Sequence, residues 1–389
     1  MHMFFDIVGS CNLKCPSCPM GNSENENSKK AMQLDLFKQI IKKAAAEGVT
    51  SIHLYNWTEP MLHPKIGEFI AEVQAAGINC GLSSNLNIVK NLEKAITANP
   101  AFFRISLSGF YQETYKIGHA GGDIEQVKAN MILLSELKAR LNATTEVEVY
   151  YHRYVHNTDE EILMKNFSEQ LGFSFSSGYS VMMPLEKTFA VINGEDTLSA
   201  ADIAILKRLA LPPATDVIDA AKHHGNVACT LKDSMIVLDC EGNVILCCTI
   251  FNQLEYSVGK YLDMPLSTIT HRKNTLPKCT SMCNRCTHHG LHVYAMYPNL
   301  GSLAENAVNR ILTYKYRQLA NLPEEVTSVA KISARDQFDE ETYLNSNSDV
   351  RTAVRNGVFP SGYDHYIRYG KIENRPGVVT KQQFSYTEI

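Results

Sequence analysis

Strand-like and helix-like segments alternate over the first 190 residues, and this alternation constrains the fold more than any other feature of the chain. The predicted strands are Met3–Val8, Ser51–Trp57, Ile78–Ser83, Phe102–Leu107, Glu146–Val155 and Phe173–Met183. The predicted helices are Leu34–Ala46, Pro64–Ala76, Leu92–Ala98, Ile124–Leu141 and Asp159–Leu171. Repeated strand–helix units predict a parallel sheet with right-handed crossovers. Six units suit an open, partial TIM-like (β/α)6 barrel better than a closed eightfold one.

The chain of 389 residues is long enough for several units. We predict an α/β protein in which the partial barrel covers residues 1–190 and linker helices cover 191–225. A small cysteine-rich unit then covers 226–295, and a helical connector covers 296–335. A small helical module covers 336–389.

Composition excludes several classes of partner. With 37 basic and 41 acidic residues the net charge is −4, which argues against a dedicated nucleic-acid or membrane-surface binder. No apolar run reaches the length of a membrane-spanning helix, and the N-terminus becomes polar too soon for a signal peptide. We therefore expect a cytoplasmic protein. Its eleven cysteines then stay reduced, which favours metal or cluster ligation over disulfides.

Three cysteines follow the first predicted strand directly. Cys11, Cys15 and Cys18 form the pattern C-x3-C-x2-C, at the carboxyl end of the sheet where active sites of such folds lie. Three thiolates can hold three irons of a four-iron cube and leave the fourth iron open to a small molecule with an amino and a carboxylate group. The alternative is a zinc site with a distant fourth ligand.

This cysteine pattern resembles the signature of the radical S-adenosylmethionine (SAM) superfamily. NWTEP (56–60), SSN (83–85) and SLSG (106–109), at the ends of the second, third and fourth strands, resemble further motifs of that family. Two glycines of the family's GGEP motif are replaced here by Trp57 and Thr58. The resemblance implies that Glu59 accepts a hydrogen bond from the SAM ammonium group. The further SAM contacts that it implies are Thr58, Ser83, Asn85, Ser106 and Arg153, with His152 as a candidate beside Arg153.

The resemblance also implies a chemistry. A [4Fe–4S] cluster, reduced by an electron donor such as flavodoxin or ferredoxin, cleaves bound SAM into methionine and a 5′-deoxyadenosyl radical. This radical abstracts a hydrogen atom from the substrate, while the protein positions and shields the reactants.

A second group of cysteines lies in the region 226–295. Cys229 and Cys247 bracket Gly242 in the pattern C-x12-G-x4-C, and Cys283 and Cys286 form C-x2-C. Four thiolates can saturate either a four-iron cluster or a structural zinc ion. The pattern resembles the twitch module, the short form of the SPASM domain, which implies one auxiliary [4Fe–4S] cluster. Cys279 can replace Cys283 in this set.

A one-cluster twitch layout resembles that of radical SAM dehydrogenases acting on aminocyclitols. It implies oxidation of a carbohydrate, aminocyclitol or nucleotide sugar, with Arg153, Tyr151 and Tyr179 as candidate catalytic residues. The C-terminal string FDEETYLNSNSDV…SGYDHYIRYGKIENRPG also resembles a module appended to bacterial glycosyltransferases. The alternatives are a ribosomal-peptide maturase, a sugar epimerase, and a non-catalytic zinc or iron–sulfur scaffold.

Overall fold

The computed structural model describes residues 1–22, 30–154, 156–180, 229–284 and 338–356. It also describes Cys286, a few residues between 186 and 208, and a few between 359 and 376. The predicted connector 296–335 and most of the predicted linker 191–225 lie outside these residues. Within the described residues, no helix has the length and apolar character needed to cross a membrane.

Nine strands among the described residues form one sheet, in the order β6-β5-β4-β3-β2-β1-β7-β8-β9. The strands are β1 (His2–Phe5), β2 (Ser51–His53), β3 (Asn79–Ser84), β4 (Phe102–Leu107), β5 (Glu146–Arg153), β6 (Ser174–Tyr179), β7 (Met235–Leu238), β8 (Asn243–Ile245) and β9 (Ser257–Lys260). The first six pair in parallel with their sequence neighbours, as the strand–helix alternation predicts. Their carboxyl ends therefore meet at one edge.

Seven helices accompany the six parallel strands in the described residues up to 180, and all but the first of them contribute buried side chains to the core over the sheet. They are α1 (Pro19–Asn22), α2 (Leu34–Ala46), α3 (Ile66–Ala75), α4 (Leu92–Thr97), α5 (Gln112–Gly118), α6 (Ile124–Leu141) and α7 (Glu161–Gln170). α6 begins where the Asp123 carboxylate accepts hydrogen bonds from two free N–H groups of the first turn, and it ends at Asn142, whose φ is +50°. Its buried side chains join the core that covers the sheet.

The predicted element types are confirmed, and several predicted bounds are too long. β1 ends at Phe5 rather than Val8, and β2 at His53 rather than Trp57. β6 is described over Ser174–Tyr179, and residues 181–183 of its predicted span lie outside the described residues. Each excess lies at the carboxyl end of a strand. After β1 and β2 the apolar pattern continues, but the backbone turns into the loops that carry the candidate site.

The cysteine-rich region extends the same sheet. β7 pairs in parallel with β1, and β8 and β9 follow it in antiparallel pairing. This region also contains the helices α9 (Thr230–Asp233), α10 (Gln253–Tyr256), α11 (Leu266–Thr275) and α12 (Pro277–Asn284), which follow α8 (Ala200–Leu206). Because β7 is parallel to β1 and β8 is antiparallel to it, Cys229 before β7 and Cys247 after β8 lie towards the amino end of β1. The first cysteine loop follows the carboxyl end of the same strand.

The described part of the C-terminal module has a small core of its own. Its helices are α13 (Glu340–Ser346), α14 (Ser348–Arg355) and α15 (Gly362–His365). Tyr343 is fully buried, packs against Phe338 and Val350, and its hydroxyl lies 3.0 Å from Nδ1 of His365. These aromatic and histidine side chains hold the module together.

Candidate active site

The first cysteine loop (residues 11–18) runs from the end of β1 to α1. The loop is anchored to the turn that follows α5, where the Lys14 N–H donates to the Ala120 carbonyl at 2.8 Å. α1 packs directly on the loop, since a Cβ atom at Gly21 would lie 2.5 Å from both the nitrogen and the oxygen of Cys15. Only glycine allows this approach, which fixes the position of Cys15.

The three thiols of this loop lie close enough together to disfavour one another's ionisation. Burial, then the charges of Glu59 and Cys18, raise the pKa of Cys11 to about 12. The pKa of Cys15 is raised by burial first, and then by Cys18 and Cys11. Buried thiols that repel one another as thiolates suit a cationic centre that binds all three.

Glu59 and Asn85, two of the predicted SAM contacts, meet beside this loop. Glu59 is 3% exposed, and its two carboxylate oxygens accept the backbone N–H groups of Met61 at 3.0 Å and of Asn85 at 2.9 Å. Burial raises its pKa to about 7, while these hydrogen bonds oppose the shift. The Asn85 amide donates to Sγ of Cys11 at 3.8 Å and to Oδ1 of Asn12 at 3.0 Å. The structure thus joins motifs that are 74 residues apart in sequence.

Asp6 is a residue of this site that the sequence analysis missed. One of its oxygens accepts from the Trp57 N–H at 2.8 Å, the Thr58 N–H at 3.0 Å and the Thr58 hydroxyl at 2.7 Å. The other oxygen is buried without a hydrogen-bond partner among the described residues, and burial raises the pKa of Asp6 to about 6. An aspartate within the apolar string MFFDIV was the available signal.

Beyond these loops, the inner face of the sheet is polar. On β4, Phe103, Ile105 and Leu107 are buried towards the helices, so Arg104 and Ser106 lie on the opposite face. The same alternation places further residues there, and together they form what we call the polar face: Ser83, Arg104, Ser106, Glu148, Tyr150, His152 and Ser176.

Hydrogen bonds connect the polar face across three strands. The Ser106 hydroxyl lies 2.8 Å from Nε2 of His152. Nε of Arg104 donates to Glu148 at 2.7 Å, and the Ser176 hydroxyl donates to the other Glu148 oxygen at 2.5 Å. Burial, then the charge of Arg104, lower the pKa of His152 to about 4, so its imidazole is neutral at pH 7.

Comparison with known proteins shows which family the domain containing these residues resembles. Residues 6–161 match the family model of the radical SAM superfamily. A curated relative from Pyrococcus furiosus, the tungsten-containing aldehyde ferredoxin oxidoreductase cofactor-modifying protein, is 26% identical over 135 residues, or 33% of this chain. The chain spans 37% of the length of that relative. Residues 6–161 are a radical SAM domain.

Solved structures share the fold of this domain. Streptococcus suis SuiB bound to S-adenosylmethionine is 13% identical, with a TM-score of 0.50, over 72% of this chain and 67% of SuiB. SuiB bound to precursor peptide SuiA is 12% identical, with a TM-score of 0.50, over 74% of this chain and 70% of SuiB. At this level of identity the likeness shows a common fold.

The cofactors of the radical SAM domain are SAM and a [4Fe–4S] cluster, and its residues fit both. Three adjacent thiols match a cube with one open iron. The unpartnered oxygen of Asp6 and the buried carboxylate of Glu59 match a ligand that carries positive charge. Among the described residues, no three His, Cys, Asp or Glu side chains stand close enough to share a single metal ion. A cube binds each thiolate through a different iron, so these findings agree.

Two of the predicted catalytic residues lie on the wrong face of the radical SAM domain. Tyr151 is fully buried towards the helices, and its hydroxyl donates to the Asn157 carbonyl at 2.8 Å. Arg153, also expected to contact SAM, shares that side of β5 and binds both oxygens of Glu161 in α7 at 2.8 Å. We correct both to structural roles, since strand alternation turns them away from the polar face. Tyr179 ends β6, and its side chain lies outside the described residues.

The second group of cysteines comes together beside the radical SAM domain. Cys229 precedes α9, Cys247 follows β8, and Cys283 lies in α12. Burial, then Cys247, raise the pKa of Cys283 to about 12, and Cys229 contributes as well. The Cys286 N–H donates to the Cys283 carbonyl at 3.2 Å, which places Cys286 one turn further. Cys279 is fully buried nearby, so its role as an alternative ligand stays a prediction.

A buried lysine accompanies these cysteines, which the sequence analysis did not anticipate. Lys273 in α11 is 1% exposed, and its ammonium donates to the Met235 carbonyl at 2.7 Å and to the Lys232 carbonyl at 3.3 Å. Burial lowers its pKa to about 8, while the neighbouring Cys247 and Cys248 oppose that shift. The polar helix sequence around Lys273 offered no signal that this lysine would be buried.

Proposed function

We propose that this chain is a radical SAM oxidoreductase that oxidises a hydroxyl-rich small molecule, such as a carbohydrate, an aminocyclitol or a nucleotide sugar. Cys11, Cys15 and Cys18 would hold the SAM-binding cluster, and Glu59 and Asn85 would orient SAM. Asp6 holds the loop that carries Thr58, and its free oxygen offers a further acceptor for the cationic cofactor. An electron donor of the flavodoxin or ferredoxin type would supply the reducing electron.

With both cofactors bound and one electron supplied, the site provides a 5′-deoxyadenosyl radical that removes one hydrogen atom from a substrate carbon. Oxidation of an alcohol then requires the loss of one more electron and of the hydroxyl proton. Cys229, Cys247, Cys283 and Cys286 would hold an auxiliary [4Fe–4S] cluster as the electron acceptor. The neutral imidazole of His152, on the polar face, is available to accept the proton.

The polar face is the observation that carries the substrate class. Hydroxyl, imidazole, carboxylate and guanidinium groups lie side by side on β4, β5 and β6, and they hydrogen-bond to one another. A sugar-like molecule presents hydroxyl groups that can exchange hydrogen bonds with each of them. An apolar substrate would bury the remaining donors and acceptors of these groups without partners, at a cost of about 1–3 kcal/mol for each such atom.

The test is product analysis with a panel of nucleotide sugars and aminocyclitols, using protein reconstituted without oxygen. We expect 5′-deoxyadenosine in equal amount to a product two mass units lighter than the substrate. A matched pair of variants, His152→Gln and His152→Leu, would separate hydrogen bonding at this position from proton acceptance, because the glutamine amide can hydrogen-bond but cannot accept the proton. We expect the leucine variant to lose product formation and to retain slow SAM cleavage without substrate oxidation.

Other products would reject parts of this proposal. Solvent deuterium in a sugar of unchanged mass would show epimerisation. A modified peptide, with no turnover of any sugar, would show a peptide maturase. Protein that binds zinc and no iron at either cysteine group would contradict the radical SAM chemistry altogether.

A further inference from the structure

Trp57 occupies a position where the family motif that NWTEP resembles has glycine, and it is the only tryptophan of the chain. Its indole N–H donates to the Ile250 carbonyl at 3.0 Å. Its ring meets the ring of Phe251 edge-on, with centroids 6.1 Å apart and planes at 88°. We call residues 56–60, which carry the predicted SAM contacts Thr58 and Glu59, the SAM-binding loop. Its Trp57 side chain contacts a segment that is 193 residues away in sequence.

This distant segment is part of the second cysteine group. Ile250 follows Cys247 by three residues, and its N–H donates to the Cys247 carbonyl at 3.4 Å. Between them, the Thr249 hydroxyl lies 3.1 Å from Sγ of Cys247. The Glu186 carboxylate accepts from the Phe251 N–H at 2.8 Å and holds the segment from its other side. A displacement of the Cys247 backbone would therefore also move the Ile250 carbonyl, because a short hydrogen-bonded turn connects the two residues.

The other end of the connection is equally well fixed. The Trp57 and Thr58 N–H groups both donate to Asp6, which directly follows β1 and precedes the first cysteine loop. Glu59 lies two residues after Trp57, and both of its oxygens are held by backbone N–H groups. Because the backbone around Trp57 is held in this way, a shift of the indole is transmitted to the loop that carries Glu59.

We propose that Trp57 is a positioning residue that couples SAM binding at the first cysteine loop to occupancy of the second cysteine group. This inference rests on the proposed function, in which the second group holds a cluster. A metal centre bound to Cys247 restricts the motion of residues 247–251. Because the Trp57 indole donates to the Ile250 carbonyl, the SAM-binding loop is restricted as well. SAM then binds a loop that is already in place, so its dissociation constant falls. By linkage, SAM strengthens metal retention at the second group by the same factor.

SAM affinity measured with the second site loaded or empty tests this coupling. The empty form is the Cys283→Ala, Cys286→Ala double variant, whose first cluster remains. We expect the loaded protein to bind SAM about fivefold more tightly, which is the effect of one neutral hydrogen bond and lies at the lower end of allosteric couplings. In the Trp57→Phe background, which lacks the indole donor, loaded and empty proteins should bind SAM equally well. Phe251→Leu, which keeps the hydrogen bond, should retain most of the difference.

Fluorescence supplies a second measurement that needs no substitution of Trp57. With excitation beyond the tyrosine absorption, the emission comes from Trp57 alone. Addition of SAM should change that emission when the second site is loaded, and should change it less when the site is empty. Equal SAM affinity of the loaded protein and the empty double variant, with Trp57 present in both, would overturn the proposal, as would coupling that survives in Trp57→Phe.

Iron analysis keeps this inference separate from the proposed function. About eight irons per chain indicate two filled cubes, and about four indicate that only one group binds a cluster. If the second group takes no iron, the auxiliary-cluster proposal fails. The same affinity comparison is then made between protein with and without zinc at the second group. A difference that depends on Trp57 would still support the coupling, and no difference would reject it.

Discussion

The two cysteine groups differ in how the chain assembles them and in the charges that surround them. The first comes from one loop of eight residues, and the groups near its thiols are carboxylates, Glu59 for Cys11 and Asp6 for Cys18. The second gathers thiols from segments more than fifty residues apart. The buried ammonium of Lys273 lies beside it. The first site is formed by neighbouring residues and has carboxylates beside it. The second site is assembled by the tertiary structure and has the buried Lys273 ammonium beside it.

This difference suits different redox roles. Nearby negative charge disfavours the addition of an electron to a cluster, so a reduced cluster at the first site would be a strong electron donor. A buried positive charge favours a reduced cluster at the second site, as an electron acceptor needs. The contrast therefore agrees with our proposal that substrate-derived electrons leave through the second group.

Loss of a ligand at the first group should have the largest effect. We expect Cys15→Ala to bring 5′-deoxyadenosine release below detection, because two thiolates are left for a cube that needs three. Iron should fall from about eight to about four per chain. Cys80→Ala is the control, since Cys80 is buried within β3 away from both groups. Unchanged SAM cleavage by Cys15→Ala would refute the assignment.

Loss of a ligand at the second group should separate the two sites. We expect Cys286→Ala to abolish oxidised product while some uncoupled SAM cleavage remains, because the first loop is intact. Cys279→Ala is the matched comparison, and it should retain product formation if Cys283 is the true ligand. Zinc loss from Cys286→Ala with full activity would show that the second group is structural.

The packing of α1 on the first loop gives a third prediction. Gly21→Ala should reduce the iron content of the first site several-fold, because the new methyl group would overlap the Cys15 backbone. Gly48→Ala is the control, since a Cβ there meets nothing within 4 Å and only its φ of +75° is strained. That control should cost about 1 kcal/mol of stability and leave the iron content unchanged. Equal iron content in both variants would contradict the tight packing at Cys15.

The charge of Glu59 gives a prediction for pH. Its pKa of about 7 in the folded protein means that the carboxyl holds a proton below that pH. A cationic ligand needs the ionised form, so SAM affinity should fall as pH decreases from 8 to 6. Glu59→Gln should bind SAM roughly tenfold to a hundredfold more weakly and should lose the pH dependence between pH 8 and 7, where Asp6, whose pKa is about 6, stays ionised. Anaerobic equilibrium dialysis measures both effects, and an unchanged slope in the variant would exclude Glu59 as its source.

The smallest expected effect concerns the buried cation. Lys273→Met should lower the reduction potential of the second cluster, because a reduced cluster loses a stabilising positive charge, and should leave that of the first unchanged. Lys273→Arg, which keeps the charge, and Lys232→Met, at a partly exposed site, should shift it less. Redox titration followed by electron paramagnetic resonance resolves the two centres. Equal shifts at both would show that the effect is not local.

Much of the fold could be predicted because local patterns are enough for it. The bounds of α2, α6 and β4 agree with the apolar periodicity, since each element buries one face along its whole length. Strand ends at the site were overestimated because apolar residues continue into loops, where contacts with other segments decide the turn. Tyr151 and Arg153 were misplaced for a related reason, since their face depends on the register of β5 beside β4.

The sequence by itself determined the first cysteine loop and the element order of the domain, because ligand spacing within one loop and apolar periodicity are properties of neighbouring residues. Only the tertiary structure decided that Asp6 holds the Trp57–Thr58 turn, that Lys273 lies buried beside the second group, and that Trp57 reaches Ile250. Each of these contacts joins segments that are far apart in the chain, and parallel pairing of β7 with β1 brings the two cysteine regions to neighbouring strands. Such a contact produces no periodic pattern in the sequence, because the packing of distant segments decides which two residues meet.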